Sequence, residues 1–277
     1  MKHIRIVAGV TFREAARKKI LWMALLAGVA FLLLFGVSLH FQMDSFHDRN
    51  VRPFLQKQVL SGMLMMGLYA IDLLVVVMTV LTSVDTLSGE IDSGTIQALA
   101  TKPLRRSELL LGKWLGFCGM LTLYIALMVG GINGLTYLMT GVAARHIPAG
   151  VSLIWLESML LLSVTFFFGT SFSTLTNGVL ALGLHGLAFL GGWLEQAGAL
   201  TNTPKAVAVG IIASIIMPSE SLWRRAAFEM QSPLATATNI SPFSGASVPS
   251  PLMIAYAAAY LIVFLTLAVH RLSNRDL

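Results

Sequence analysis

The sequence predicts an all-α, polytopic membrane protein with six transmembrane helices, an N-terminal interfacial helix and a short helix between the second and third spans. Two observations favour this class. Hydrophobic residues make up 56% of the 277 residues and charged residues only 12%, whereas a soluble domain carries roughly 25% charged residues. Several apolar stretches also reach the length of about 18 residues that crosses a bilayer. We interpret residues 1–277 as a single membrane domain.

The first 19 residues predict a helix that lies in the membrane interface. Apolar residues such as Ile6 and Val10 are interleaved with basic ones such as Arg5 and Arg13, a pattern typical of interfacial helices. The apolar run at residues 20–42 has no small-residue cleavage site after it, so we interpret it as a retained first span and not as a signal peptide.

The other five spans follow from apolar stretches at residues 58–82, 109–140, 151–173, 178–196 and 252–270. Residues 174–178 are rich in turn-forming side chains and are predicted to make the fourth and fifth spans antiparallel neighbours. The segment 197–251 holds six of the nine prolines and is predicted to be a loop. Within it, the apolar piece after Pro204 is too short to span and predicts a re-entrant or interfacial helix.

The distribution of basic residues predicts the topology. With the N-terminus inside the cell, twelve of the 19 Lys and Arg residues fall on the cytoplasmic side and seven outside, in line with the retention of positive charge in cytoplasmic loops. Both termini, the loop 84–108 and the turn 174–178 are therefore predicted to be cytoplasmic, and the loop 197–251 extracytoplasmic, in a cell inner membrane. The basic residues form no continuous stripe, so we do not expect nucleic-acid binding.

The segment between the second and third spans carries the most information. Asp92 and Ser93 are suited to cap a short helix that Pro103 ends, and Ser107 to cap the next helix, with Glu108 in its first turn. Such a helix, acidic at one end and basic at the other, is suited to hold another protein. The alternative is an ordinary basic loop that only sets the topology.

The same segment resembles that of the permease subunits of ABC-2-type exporters, in which an acidic residue, a Gly-Thr pair and a short helix lead through Pro and Arg to Gly-Lys. The matching residues here are Glu90, Gly94, Thr95, Leu99, Pro103, Arg106, Gly112 and Lys113. An entry like Arg-Glu-Ala-x-Arg-Lys at residues 13–18 and the terminal Asn-Arg-Asp-Leu agree with the resemblance.

The resemblance implies a permease that dimerises, as a homodimer or with a second permease, and is driven by two copies of a separate cytoplasmic ATPase. ATP and Mg²⁺ would then be held by that partner and no cofactor by this chain, which has no GxxxxGK[ST] motif for phosphate. The chain itself would be no enzyme. Residues 90–101 would form the coupling helix, the turn 174–178 a minor contact and the N-terminal helix a lateral brace. The coupling residues implied are Glu90, Asp92, Gly94, Thr95, Leu99, Pro103, Arg106 and Lys113.

Charged residues inside the spans raise a second possibility. Asp72 lies near the middle of span two, where an ionised acid is costly. It is either part of a translocation path or proton site, or a hydrogen-bonded acid that joins helices. Counting from the turn at about residue 176, Glu157 and His185 are expected to lie at different depths and to make no contact.

Two other functions remain open on the sequence: an ion- or proton-coupled secondary transporter that uses Asp72, and a membrane enzyme acting on lipid with the loop 197–251 as its lid. The sequence contains no recognisable catalytic motif. The single cysteine, Cys118, excludes an intrachain disulfide and a cysteine metal cluster. Nothing in the spans identifies a substrate.

Overall fold

A computed structural model describes residues 2–17, 19–49, 51–92, 105–232 and 247–274. Four predicted coupling residues, Gly94, Thr95, Leu99 and Pro103, lie outside the described residues, as do the side chain of Asp92 and most of the predicted coupling helix.

The described residues form helices and contain no strand. In chain order the helices are α1 (Lys2–Arg17), α2 (Lys19–Asp48), α3 (Pro53–Asp92), α4 (Arg106–Thr140), α5 (Ile147–Gly169), α6 (Thr174–Leu200), α7 (Pro204–Ile216), α8 (Ser219–Met230) and α9 (Pro251–Ser273). Six of them, α2 to α6 and α9, are long and apolar enough to cross a membrane. The predicted fold class is confirmed.

The second span extends further than hydropathy predicts. Its apolar stretch ends near residue 82, yet α3 continues to Asp92. Two polar side chains of this last part hydrogen-bond to backbone carbonyls of α3 itself: Ser83 Oγ donates to the carbonyl of Thr79 at 2.6 Å and Ser88 Oγ to that of Val84 at 2.8 Å. A hydropathy profile marks where a helix stops being apolar, and here that is about two and a half turns before the helix ends.

Two predicted helix starts were displaced. The turn between α5 and α6 occupies residues 170–173 and not 174–178, because Thr174 to Gly178 form the first turn of α6. Similarly, α4 begins at Arg106, so Ser107 lies inside it and Arg105 is the residue at the cap. Glu108 still has the predicted role at a helix start, since its carboxylate accepts a hydrogen bond from the backbone N–H of Arg105 at 3.4 Å.

The segment 197–251 is more helical than predicted. The expected helix after Pro204 is present as α7, and a further helix, α8, follows it after a bend of 107°. Apolar side chains of α8 such as Leu222 and Trp223 are buried in the bundle. The last backbone carbonyls of α7 accept hydrogen bonds from α9: Tyr256 Oη donates to the carbonyl of Ile215 at 2.6 Å and Tyr260 Oη to that of Ile216 at 2.9 Å. The pair forms a broken span or a re-entrant hairpin.

Several helix ends meet at one end of the bundle, which we call the α3–α4 end. It comprises the end of α3, the starts of α4 and α6, and the end of α9. Ser88 Oγ lies 2.9 Å from Thr174 Oγ1, which joins α3 to α6. Arg106 Nη1 donates to the carbonyl of Leu272 at 3.4 Å, which joins α4 to α9. The opposite end carries the α4–α5 connection and the end of α8, where Arg145 N donates to the carbonyl of Met230 at 3.0 Å.

Candidate functional site

An ion pair joins the last turn of α3 to the third turn of α4 at the α3–α4 end. Lys113 Nζ pairs with a carboxylate oxygen of Glu90, and the two side chains are only 6% and 21% exposed. A buried lysine needs such a partner, because an unpaired charge away from water is costly. The sequence named both residues as coupling residues from a resemblance, and the structure brings these two together.

Helix α1 packs across α4 beside this ion pair. A side chain on Gly112 would meet Val7 Cβ at 2.6 Å, and one on Gly116 would meet the carbonyl of Ala8 at 2.8 Å. Glycine at both positions, four residues apart on one face of α4, therefore permits a close approach of the two helices. A further contact joins the helix starts, where His3 Nδ1 lies 3.5 Å from Glu108 Oε2.

A cavity of about 210 Å³ lies between α1, α3 and α4. Its polar lining includes the acidic side chains of Glu14, Asp85 and Glu90 and one basic side chain, Lys113. The opening is thus acidic overall and lies directly beside the ion pair.

Asn177 ties three helices together at the same end. Its side-chain amide donates to the carbonyl of Val84 in α3 at 3.1 Å and to that of Thr165 in α5 at 3.0 Å, and the residue is fully buried. The sequence placed Asn177 in an exposed turn. The sequence alone does not distinguish an asparagine in a turn from a buried asparagine that bridges helices. The packing of α3 against α5 and α6 decides which of the two Asn177 is.

A second polar site lies in the middle of the bundle. Asp72 in α3 and Glu157 in α5 are 4% and 1% exposed, and their carboxyl groups lie within hydrogen-bonding reach of each other. His185 of α6 is also there: its Nδ1 is 4.0 Å from Glu157 Oε1 and 3.0 Å from Ser219 Oγ.

The expectation that Glu157 and His185 lie apart was wrong. The turn between α5 and α6 is centred near residue 172 and not 176. Moving it by four residues adds about one helical turn to the path to His185 and removes one from the path to Glu157. The two residues therefore reach the same depth.

The break between α7 and α8 adds a third carboxyl group to this site. Glu220 in the first turn of α8 is 5% exposed and lies close enough to Asp72 and Glu157 for their charges to interact. The sequence analysis missed Glu220 because it assigned its segment to a loop. A charged residue directly after an apolar piece and Pro218 was the available signal.

A buried ion pair holds α8 against α6. Arg224 Nη2 donates to Glu195 Oε2 at 2.8 Å, with side chains 6% and 7% exposed. Ser247 Oγ donates to the other oxygen of Glu195, and Ser214 Oγ of α7 lies 3.4 Å from Arg224 Nη2. This pair fixes the position of α8 and so of Glu220, one helical turn before Arg224.

Six helices long and apolar enough to cross a membrane, with a bent pair of short helices packed among them, indicate a multi-pass membrane protein. A family model described as ABC-2 family transporter protein matches residues 5–277. The chain therefore belongs to the ABC-2 family, and it is a membrane permease of an ABC transporter. The resemblance found in residues 90–113 is confirmed. The sequence matches none of the curated proteins with which it was compared.

Proposed function

We propose that the chain couples ATP hydrolysis on a separate cytoplasmic ATPase to the export of a substrate. Permeases of this family usually work with an ATP-binding subunit. The observation that supports the proposal is the Glu90–Lys113 ion pair, because Glu90 is the first residue of the predicted coupling helix and Lys113 follows that helix in α4.

The ion pair gives that helix a mechanical connection to the bundle. A force applied by the ATPase to residues between Glu90 and Lys113 reaches the end of α3 and the start of α4 together. Asn177, through α6, and Arg106, through α9, extend the connection to other spans. The ATPase would contact the α3–α4 end, and Arg106 and the remaining coupling residues would contribute to that contact.

The positive-inside distribution supports an orientation in which the α3–α4 end and both termini lie in the cytoplasm. In this orientation α1 is a brace beside the coupling helix at the inner membrane surface. A homodimer, or a pair with a second permease, would offer one coupling helix to each of two ATPase subunits. Asp72, near the middle of α3, would lie on the path of the substrate.

Copurification and activity test the proposal. An affinity-tagged permease expressed with its neighbouring ATP-binding subunit should retain that subunit stoichiometrically and stimulate its ATPase activity in nanodiscs. Removal of residues 90–101 should abolish both, with membrane insertion retained. Asp48→Asn, at an exposed position at the end of α2 and away from the α3–α4 end, serves as the control. Full stimulation by the deletion variant would contradict the proposal.

Orientation is tested independently by cysteine labelling. In a Cys118→Ala background, Ser173→Cys at the α3–α4 end should react with a membrane-impermeant maleimide only from the cytoplasmic side. Ala143→Cys, exposed in the α4–α5 connection at the opposite end, should react only from outside. The reverse pattern would overturn the topology and leave the fold unchanged.

A further inference from the structure

The Asp72–Glu157 pair brings two acidic side chains together at the buried centre of the bundle. Each residue is close to the middle of its helix, and each helix is long enough to cross the membrane. Neither carboxyl oxygen of Glu157 accepts a hydrogen bond from a hydroxyl, amide or basic side chain of the described residues. Two ionised carboxylates in contact repel strongly in a medium of low dielectric constant.

The surrounding elements offer little positive charge to compensate. Facing the pair are Tyr69 on α3, His185 on α6 and Glu220 on α8. Arg224, one turn beyond Glu220, is already paired with Glu195. Across the described part of the chain, no lysine or arginine forms an ion pair with Asp72, Glu157 or Glu220.

The described residues include no group of three or more His, Cys, Asp and Glu side chains placed to hold a metal ion. A single proton, by contrast, converts the contact between the two carboxyl groups into a hydrogen bond between a carboxylic acid and a carboxylate.

We propose that Asp72 and Glu157 form a proton-binding site at the centre of the permease. One proton bridges the two groups, so that one is a carboxylic acid and the other a carboxylate, and it comes from water. The site lies where α7 and α8 break, and interrupted helices are found around ion sites at the midplane of other transporters. The positive end of the α8 dipole, at Ser219, favours the negative charge that remains.

A route for the proton is visible on one side of the pair. A crevice lined by Tyr69, Trp193, Gln196, Trp223 and Arg224 has Glu220 in its wall. About 20 Å³ of it is open to water-sized molecules, which is enough for one water. Glu220 both lines this crevice and interacts with the charges of Asp72 and Glu157, so we infer that it passes the proton between them.

Infrared spectroscopy of the isolated permease in nanodiscs tests proton binding directly. The wild type should show the C=O stretch of a protonated carboxyl group at neutral pH. Glu157→Gln should remove it, because a glutamine amide donates a hydrogen bond to Asp72 without a bound proton, and Asp72→Asn should do the same. Glu14→Gln, on the exposed face of α1, should leave the band unchanged.

Two results would overturn the proposal: absence of the band in the wild type, or its full persistence when Glu220→Gln is added to the Asp72→Asn, Glu157→Gln double variant. Displacement of the band by added sodium ions would also overturn it, since the ligand would then be a metal cation. Glu220→Gln should slow the hydrogen–deuterium exchange of the band severalfold, and an unchanged rate would overturn the route.

A thermal measurement is available should the band be obscured. The native pair keeps a proton that the carboxyl groups of an unfolded chain release to water at neutral pH. The melting temperature of the wild type should therefore fall as pH rises, and that of Glu157→Gln should fall less steeply. Equal slopes would count against the site. Movement of the proton during transport would depend on the proposed function, but binding of the proton does not. These experiments test binding alone and need no ATPase.

Discussion

Lys113 and Glu90 form an ion pair between the third turn of α4 and the last turn of α3, with side chains 6% and 21% exposed. The pair connects the end of α3 to the start of α4. The ion pair lies within the permease, so its contribution to the stability of the permease can be measured without a partner protein.

Removal of one member of this pair should destabilise the permease. Lys113→Met removes the buried ammonium group that pairs with Glu90, and breaking an ion pair with a buried member costs up to about 3–5 kcal/mol. Removing both charges together, in Lys113→Met with Glu90→Leu, should restore most of the loss. Thermal melting in detergent measures both effects, with Lys19→Met at an exposed position of α2 as the control. A single variant as stable as the control would mean that the pair contributes nothing.

The close contact between α1 and α4 should depend on Gly116 and not on glycine in general. A methyl group at Gly116 would meet the Ala8 carbonyl and Thr11 Cβ, both at 2.8 Å, so Gly116→Ala should cost about 1–3 kcal/mol. Gly130→Ala in the same helix is the matched control, because nothing lies within 4 Å of the added atom.

Protease treatment gives a second measurement of the same contact. If α1 separates from α4 in Gly116→Ala, cleavage after Arg13 and Arg17 should become faster than in Gly130→Ala. Equal cleavage rates in the two variants would show that α1 tolerates the methyl group in place.

The sequence predicts where the transmembrane helices lie, but it does not predict which polar side chains meet inside the bundle. Spans are determined by hydropathy along the chain, and a bilayer requires about 20 apolar residues whatever the packing. The contact between Glu157 and His185 depends instead on where the α5–α6 turn begins. A shift of four residues in that turn decided whether the two side chains meet.

Residues 217–230 show a different limit. The polar residues of α8, including Glu220 and Arg224, are typical of a loop in composition, and the chain buries them only because they meet partners on α3, α5 and α6. Those partners are distant in sequence, and the hydropathy of the segment contains no information about them. The predicted coupling residues were proposed by the opposite route, since Glu90 and Lys113 were named from a motif that composition alone left ambiguous.

The ion pair between Glu195 and Arg224 should determine the position of α8. Arg224→Met leaves Glu195 buried with Ser247 as its one remaining hydrogen-bond partner among the described residues, and we expect a loss of about 3–5 kcal/mol in the free energy of unfolding. Lys205→Met, at an exposed position of α7, is the control. Chemical denaturation in mixed micelles measures both. If Arg224→Met unfolds at the same denaturant concentration as the control, α8 is held by its apolar side chains alone.

Gly192 should be required by Glu220, the carboxyl group that faces both the crevice and the central acid pair. A methyl group at Gly192 would meet Glu220 Cγ at 2.6 Å, so Gly192→Ala should destabilise the permease by about 1–3 kcal/mol. Gly183→Ala on the same helix, with nothing within 4 Å of the added atom, should have little effect.

The decisive variant combines Gly192→Ala with Glu220→Ala, which removes the atom that clashes. Because the two residues are in contact, their effects should not add, and the double variant should be more stable than the sum of the single variants predicts. A double-mutant cycle of melting temperatures measures this coupling, and strict additivity would show that Glu220 does not occupy the space beside Gly192.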